Sequence, residues 1–248
     1  MPLEYIKKVV AADSVEEAWT LLTEKLQTYG FDRLLYGFAR NVTSHGIGGP
    51  GDFMVLSTHP TEYTRHFIED GLYDHAPMLN WALGHTGSCS WRWVEENLHA
   101  LSAREREVIA YNRRMGVTAG YTISLKDHKV RNRAGIGLTA RTGISQDEVD
   151  ALWAKSGRDI EVMCQVTHLV LAALPYTPPG RSLTPRQREV LEWVADGKTT
   201  ADISTIMGIS PATIEKHLRL AREALDVETT AQAILKASFQ NQLFAVHG

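Results

Sequence analysis

The sequence predicts an α+β chain in two parts: an α-β-α sandwich over residues 1–174 and an all-α four-helix domain over 183–248, joined by a linker at 175–182. Three observations carry this. The stretch LPYTPPGRSLTP (174–185) holds four prolines and a glycine in twelve residues. Proline removes a backbone donor and fixes φ, so neither helix nor sheet runs through easily. Upstream, strand-like runs alternate irregularly with capped helices. Downstream there are short capped helices and no strand signal.

The upstream part contains three S-x-x-E capping boxes ahead of periodic apolar residues, at Ser14–Glu17, Ser102–Glu105 and Ser145–Glu148. The third opens a long helical pattern that runs to about Leu174. Strand-like runs lie at RLLYGFA (33–39), FMVLST (53–58), YTISLK (121–126) and AGIGLTA (134–140). Antiparallel strands covered by helices on both faces give the sandwich. No strand ends in the paired aspartates of a phosphate-receiver domain, which counts against a phosphorylated regulator.

Downstream, Thr184 begins TPRQ: an N-cap hydroxyl, proline at the first helical position, and Gln187 to return the capping bond. Val190, Leu191 and Val194 give that helix its buried face, and Gly197 supplies a left-handed stop. A second helix covers about Thr200 to Met207, burying Ile203 and Met207, and the turn GIS follows. Ser210 caps a third helix with Pro211 at its first position. There Ile214, Leu218, Ala221 and Leu225 fall on one stripe, with Lys216 and Arg219 across the axis. A fourth helix, from about Thr230 to Leu243, sets Ala233, Ile234, Ala237 and Gln240 on one side.

Two helices joined by a short turn form the helix-turn-helix unit, whose second helix enters the major groove of DNA. If the apolar stripe packs on the preceding helix, the cationic face meets the DNA. The ordinary alternative is a solvated face. The capped start, with its free N–H groups behind Ser210, favours phosphate.

Bulk composition sets wider bounds. The 248 residues, 44% hydrophobic and 22% charged, suit a globular chain with ample core. Two cysteines, Cys89 and Cys164, are too few for a disulfide framework. No apolar run approaches the roughly 18 residues that span a bilayer, and the start lacks a signal-peptide h-region. A cytoplasmic protein without membrane contact is expected. Net charge is −3; from Arg181 onward 8 Lys/Arg balance 8 Asp/Glu, so the deficit lies upstream. This permits DNA binding without proposing it.

The run LTPRQREVLEWVADGKTTADISTIMGISPATIEKHLRLAREALDV (183–227) resembles the C-terminal DNA-binding domain of LuxR-type regulators along its full length. The leading LTPR, Val190-Leu191, Gly197-Lys198-Thr199, Ile203, Gly208-Ile209-Ser210, Thr213-Ile214, His217 and Leu225 fall where that family has them. Gln187 departs from the family's usual Glu but still serves the cap. The resemblance implies that Lys216 and Arg219 read base edges, Arg or Lys to guanine being the commonest specific contact. Glu215 sits where relatives often carry a cation and would accept from a cytosine amine. Thr199, Thr213 and Arg222, with Lys198 and Arg186, are candidates for phosphate. Against each stands the ordinary solvated side chain.

The segment HPTEYTRHFIEDGLYDHAPMLNWALGHTGSCSW (59–91), with GVTAGYTI (116–123), resembles the signal-binding domain of LuxR-type quorum-sensing receptors. Those domains hold an N-acyl-homoserine lactone between the sheet and a helical layer. Aligned by Pro77, Trp91 and Gly120, the family's Trp-x3-Tyr-x8-Asp-Pro becomes Tyr63-x3-Phe67-x8-Ala76-Pro77. In the family the Trp nitrogen bonds the lactone carbonyl, the Tyr hydroxyl the acyl carbonyl, and the Asp carboxylate the amide N–H. Tyr63 retains a hydroxyl to donate, whereas Phe67 and Ala76 offer nothing, and a family Ser or Thr aligns with Gly137. An unpaired ligand amide costs roughly 1–3 kcal/mol per group.

Three readings follow. The cavity holds the same ligand through other partners, with His59 lining it and Asp74, His75 or Ser88 nearby; it takes a more apolar signal; or its own side chains fill it. Plain core packing is the bland reading of Tyr63, Phe67 and Trp91, and core or dimer contact that of Trp81, Trp93 and Trp153. A retained Trp91, Pro77 and Gly120 favours an acyl-homoserine lactone or similar lipophilic signal. The protein is then a ligand-responsive, sequence-specific DNA-binding transcriptional regulator, with no other cofactor and no enzymatic activity. The resemblance implies a homodimer on a two-fold-symmetric operator, its recognition helices ~34 Å apart. Dimer contacts are expected on the long helix before the linker and near Ile234.

Two alternatives remain at this level. One is a ligand-independent DNA-binding protein with a degenerate sensor. The other is a metal-dependent enzyme domain fused to a DNA reader, since Glu62, His66 and Asp70 share a face at i, i+4, i+8, flanked by His59, Asp74 and His75. The chain lacks HExxH, a CxxC pair or a glycine-rich phosphate loop, and alternating charges on an exposed helix give the same pattern.

Overall fold

Five strands among the described residues form one antiparallel sheet in the order β2-β1-β5-β4-β3. They are β1 (Phe31–Ala39), β2 (Phe53–Ser57), β3 (Gly87–Ser90), β4 (Gly120–Leu125) and β5 (Arg133–Ala140). The coordinates are a computed structural model that describes residues 2–40, 42, 53–127, 129, 131–176 and 182–244. Four strands match the predicted runs to within two residues at each end. The fifth, GSCS in β3, has no β-branched or aromatic residue to announce it.

Side chains alternate across a strand, so the register sorts this sheet into two faces. On one face the rows read Leu34–Leu138–Tyr121, Tyr36–Ile136–Ile123 and Phe38–Ala134–Leu125. Helices α1 (Pro2–Val10), α2 (Val15–Gln27) and a 28-residue helix, Gln146–Ala173, cover it. Trp19 of α2 packs on Tyr36. From the long helix, Trp153 stacks on Tyr121 at 3.9 Å and His168 meets Phe38 edge-on at 5.1 Å. Tyr36 and His168 Nδ1 lie 2.9 Å apart.

A shorter set of helices covers the other face. It comprises α3 (Thr61–Thr64), which runs on into a π turn at Arg65–Glu69, a 3-10 turn at Leu72–His75, α4 (Pro77–Gly84), α5 (Arg92–Glu96) and α6 (Ala103–Arg114); the long helix is then α7. The capping boxes at Ser102 and Ser145 form as predicted. At Ser14 the hydroxyl accepts from Glu17 N–H, but the Glu17 carboxylate turns to the N–H of Asp13.

Chain contacts divide the molecule into Met1–Ala172 and Ala173–Gly248. Of the expected linker, residues 177–181 lie outside the described residues; Tyr176 donates its N–H to Gln240 O at 3.1 Å, inside the second unit. That unit is four helices: α8 (Pro185–Ala195), α9 (Thr200–Met207), α10 (Pro211–Leu225) and α11 (Thr230–Phe239). Thr184 and Gln187 form the predicted reciprocal cap, and Gly197 takes a φ of +79°. The last helix ends four residues short of the predicted Leu243. Gln240 caps it and Asn241 turns left-handed at φ +50°, a conformation Asn tolerates and a helix cannot continue.

Candidate functional site

The face of the sheet under the shorter helices carries almost no large side chains at its centre. Its rows read Leu35–Gly137–Thr122 and Gly37–Gly135–Ser124. A Cβ built on Gly37 would meet nothing within 4 Å, and one on Gly137 would first reach Leu35 O and Trp91 Cζ2 at 3.9 Å. Between this floor and the helices lies a cavity of about 200 Å³. The six candidate positions, His59, Tyr63, Phe67, Ala76, Trp91 and Gly137, all line it.

Three of those residues form its aromatic wall. His59 stacks on Tyr63 at 4.4 Å and Tyr63 on Phe67 at 5.4 Å, with Tyr111 behind Tyr63 at 5.5 Å. The stack forms because the turn at 59–67 brings every fourth residue to one side. Trp91 closes the far wall over Gly120. A Cβ on Gly120 would run into the Leu138 carbonyl oxygen and meet Trp91 Cζ3 at 2.9 Å, so only glycine fits.

Several polar groups in the cavity are paired across long sequence separations, whereas the buried His59 Nδ1 has no hydrogen-bond partner among the described residues. Tyr63 donates its hydroxyl proton to Asn112 Oδ1 at 3.0 Å. Trp91 Nε1 donates to Thr122 Oγ1 at 2.9 Å, and Thr139 Oγ1 lies 3.4 Å from His59 Nε2. Burial, with Arg33 nearby and only Asp32 opposing, holds His59 down to about 4, so its imidazole is neutral. Burial foremost, then Tyr111, pushes the Tyr63 phenol up, so it stays a donor.

Several expectations change here. The Tyr63 hydroxyl, expected to donate to a ligand, has its proton committed to Asn112. Asp74 and His75 are exposed and do not line the cavity. Ser88 faces the opposite side of the sheet and bonds Glu161 of α7. The run through Glu62, His66 and Asp70 passes into the π turn, and His66 pairs with Asp70. Among the described residues no three His, Cys, Asp or Glu side chains could hold a metal ion. Asn112, Thr122 and Thr139 line the cavity without having been picked out. For Thr122 a signal existed, since it lies two residues beyond Gly120 on the same strand face.

In the second unit, Ile214, Leu218, Ala221 and Leu225 of α10 are buried in the helical core. Lys216 and Arg219 are exposed on the opposite side. Arg219 is held by Glu223 at 2.6 Å, Arg222 donates to Thr230 at 3.0 Å, and Glu215 accepts from Thr200 at 3.0 Å. Thr199 caps α9 through Asp202, and Ser210 caps α10 through Thr213. The Thr199 and Ser210 hydroxyls therefore fix the helix starts, leaving the first N–H groups of each helix pointing outward.

A family model described as the autoinducer binding domain matches residues 14–171, and one for bacterial regulatory proteins of the luxR family matches residues 181–237. The first alone spans more than half of the chain. The chain belongs to the LuxR family. It is an autoinducer-binding, DNA-binding transcriptional regulator of the quorum-sensing type. The transcriptional activator LuxR of Aliivibrio fischeri is 24% identical over 189 residues, covering 75% of this chain and 73% of the relative. SdiA in complex with octanoyl-rac-glycerol matches with a TM-score of 0.53 at 16% identity, over 99% of this chain and 96% of that one. The N-acylhomoserine lactone dependent factor CepR2 of Burkholderia cenocepacia matches at 0.54 and 15%, over 68% and 93%. These structural likenesses concern the fold.

Proposed function

We propose that residues 1–174 sense an N-acyl-homoserine lactone or a similar lipophilic acyl signal, and that residues 183–248 read a two-fold-symmetric DNA operator as part of a homodimer in the cytoplasm. The observation that carries the sensor reading is the glycine floor: a cavity walled by His59, Tyr63, Phe67 and Trp91 is kept open where ordinary strand residues would fill it. This argues against a sensor plugged by its own side chains. The chain matches LuxR family models in both parts, and CepR2 is named for N-acylhomoserine lactones. In this reading His59, Tyr63, Phe67, Ala76, Trp91 and Gly137 contact the signal, which stabilises the dimer.

On the DNA, Lys216 and Arg219 reach base edges, with Arg219 exchanging Glu223 for a base. Glu215 borders them. Thr213, Arg222 and the helix starts behind Thr199 and Ser210 meet phosphate. No helix among the described residues is long and apolar enough to cross a membrane, which fits action on DNA in the cytoplasm. The dimer would use exposed Val162 and Leu169 of α7 and the region of Ile234 on α11.

Native mass spectrometry on protein expressed with a mixture of acyl-homoserine lactones tests the sensor. A retained, stoichiometric acyl compound with a raised melting temperature is expected. A ligand-free dimer that still binds an operator would contradict it. For the reader, Lys216→Ala should weaken the cognate site by ~1–3 kcal/mol and relax one base preference. Unchanged discrimination in fluorescence anisotropy would refute the assigned face.

A further inference from the structure

The cavity's hydrogen-bonding groups are unevenly committed. Tyr63, from the turn after β2, spends its only proton on the Asn112 carboxamide oxygen across the roof of the cavity, at 3.0 Å. That bond fixes the carboxamide and leaves its Nδ2 group, with two N–H donors, without a hydrogen-bond partner among the described residues. Asn112 is half-buried and lines the cavity. On the floor, Thr122 Oγ1 accepts from Trp91, so the Thr122 proton is likewise left for an acceptor. Among the cavity residues the carboxylate nearest to hand is Glu95, which is exposed; the interior has no carboxylate to take an N–H.

A donor that faces the cavity without a protein acceptor gains a hydrogen bond when a ligand oxygen is placed there. We infer that Asn112, positioned by Tyr63, is the ligand's carbonyl anchor, and that the cavity takes acyl compounds through their carbonyl oxygens whether the acyl linkage is an amide or an ester. This rests on the acyl-signal reading and adds the group that does the recognising. For the carbonyl, Tyr63 is then a positioning residue: its ring borders the ligand, while its hydroxyl acts through Asn112.

The test uses the full-length protein and a matched pair of probes, N-dodecanoyl-homoserine lactone and the ester in which oxygen replaces its amide nitrogen, with affinities from isothermal titration. Wild-type protein should bind the two within about twofold, a spread too small for a hydrogen bond made to only one of them. Asn112→Leu should weaken both at least fivefold, the loss of a donor to a buried carbonyl. Tyr63→Phe, which keeps the aromatic stack, should weaken both to a lesser degree and add nothing further in the Asn112→Leu background, because the two act as one unit. Asn112→Asp keeps the shape and the Tyr63 bond but swaps donors for acceptors. It should weaken ester binding more than amide binding, and its melting temperature reports on folding.

Four results would overturn the inference. Affinities untouched in folded Asn112→Leu and Asn112→Asp proteins would remove the anchor. A wild-type preference for the amide above tenfold would mean that the site reads the N–H. Additive effects of Tyr63→Phe and Asn112→Leu would place the Tyr63 hydroxyl on the ligand directly. Wild-type protein that binds neither probe would overturn the acyl-signal reading, and this inference with it.

Discussion

On one face of the sheet the central row reads Tyr36–Ile136–Ile123; one residue along, on the other face, it reads Leu35–Gly137–Thr122. The same strands build both. Where α2 and α7 cover the sheet, large side chains are fully buried, Leu138 and Ile136 among them. Under the shorter helices, Gly37, Gly135 and Gly137 remove the side chains that would meet those helices, and the vacated space is the cavity. Period-two alternation thus lets one sheet divide its work: one face holds the fold together and the other stays open.

Truncating the packed face should have the largest effect. Ile136→Ala removes a side chain that is 1% exposed and should cost ~2–5 kcal/mol, read from a shift in the urea midpoint. A cost below 1 kcal/mol would show that this face does not carry the stability.

Next comes acid. Each face holds one histidine whose pKa burial lowers to about 4: His59 in the cavity, and His168 against Tyr36 and Phe38, where Asp127 opposes the shift and Arg40 adds to it. A folded-state pKa below the unfolded value means that the unfolded chain takes up protons first. The stability these groups contribute is complete above about pH 6.5 and is lost as pH falls towards 4, on the order of 3 kcal/mol per imidazole. His59→Gln and His168→Gln should each remove part of that slope. A slope untouched by both would place the acid sensitivity elsewhere.

What could be read in advance divides along a related line. Helix α10 needed only local information: a stop at Gly208, the Ser210 cap, Pro211 and a 3.6-residue period place Ile214 inward and Lys216 outward. The cavity's outline was legible too, through Pro77, Trp91 and Gly120. Its hydrogen bonds were not, because each joins residues far apart in sequence: Tyr63 to Asn112, Trp91 to Thr122, His59 to Thr139. No periodicity carries such a pairing. The π turn at Arg65–Glu69 was hidden for a similar reason. An extra residue in a helical turn leaves no mark in the apolar pattern.

The division between the faces is tested most directly by filling the floor. Gly137→Val adds a β-branched side chain where the nearest atoms lie 3.9 Å from the new Cβ. Chemical melts and acyl-lactone titration on the same preparation give both readouts. The account predicts stability within about 1 kcal/mol of wild type, since strand propensity rises as the void shrinks, together with at least tenfold weaker ligand binding. Binding retained at wild-type strength in the folded variant would contradict it.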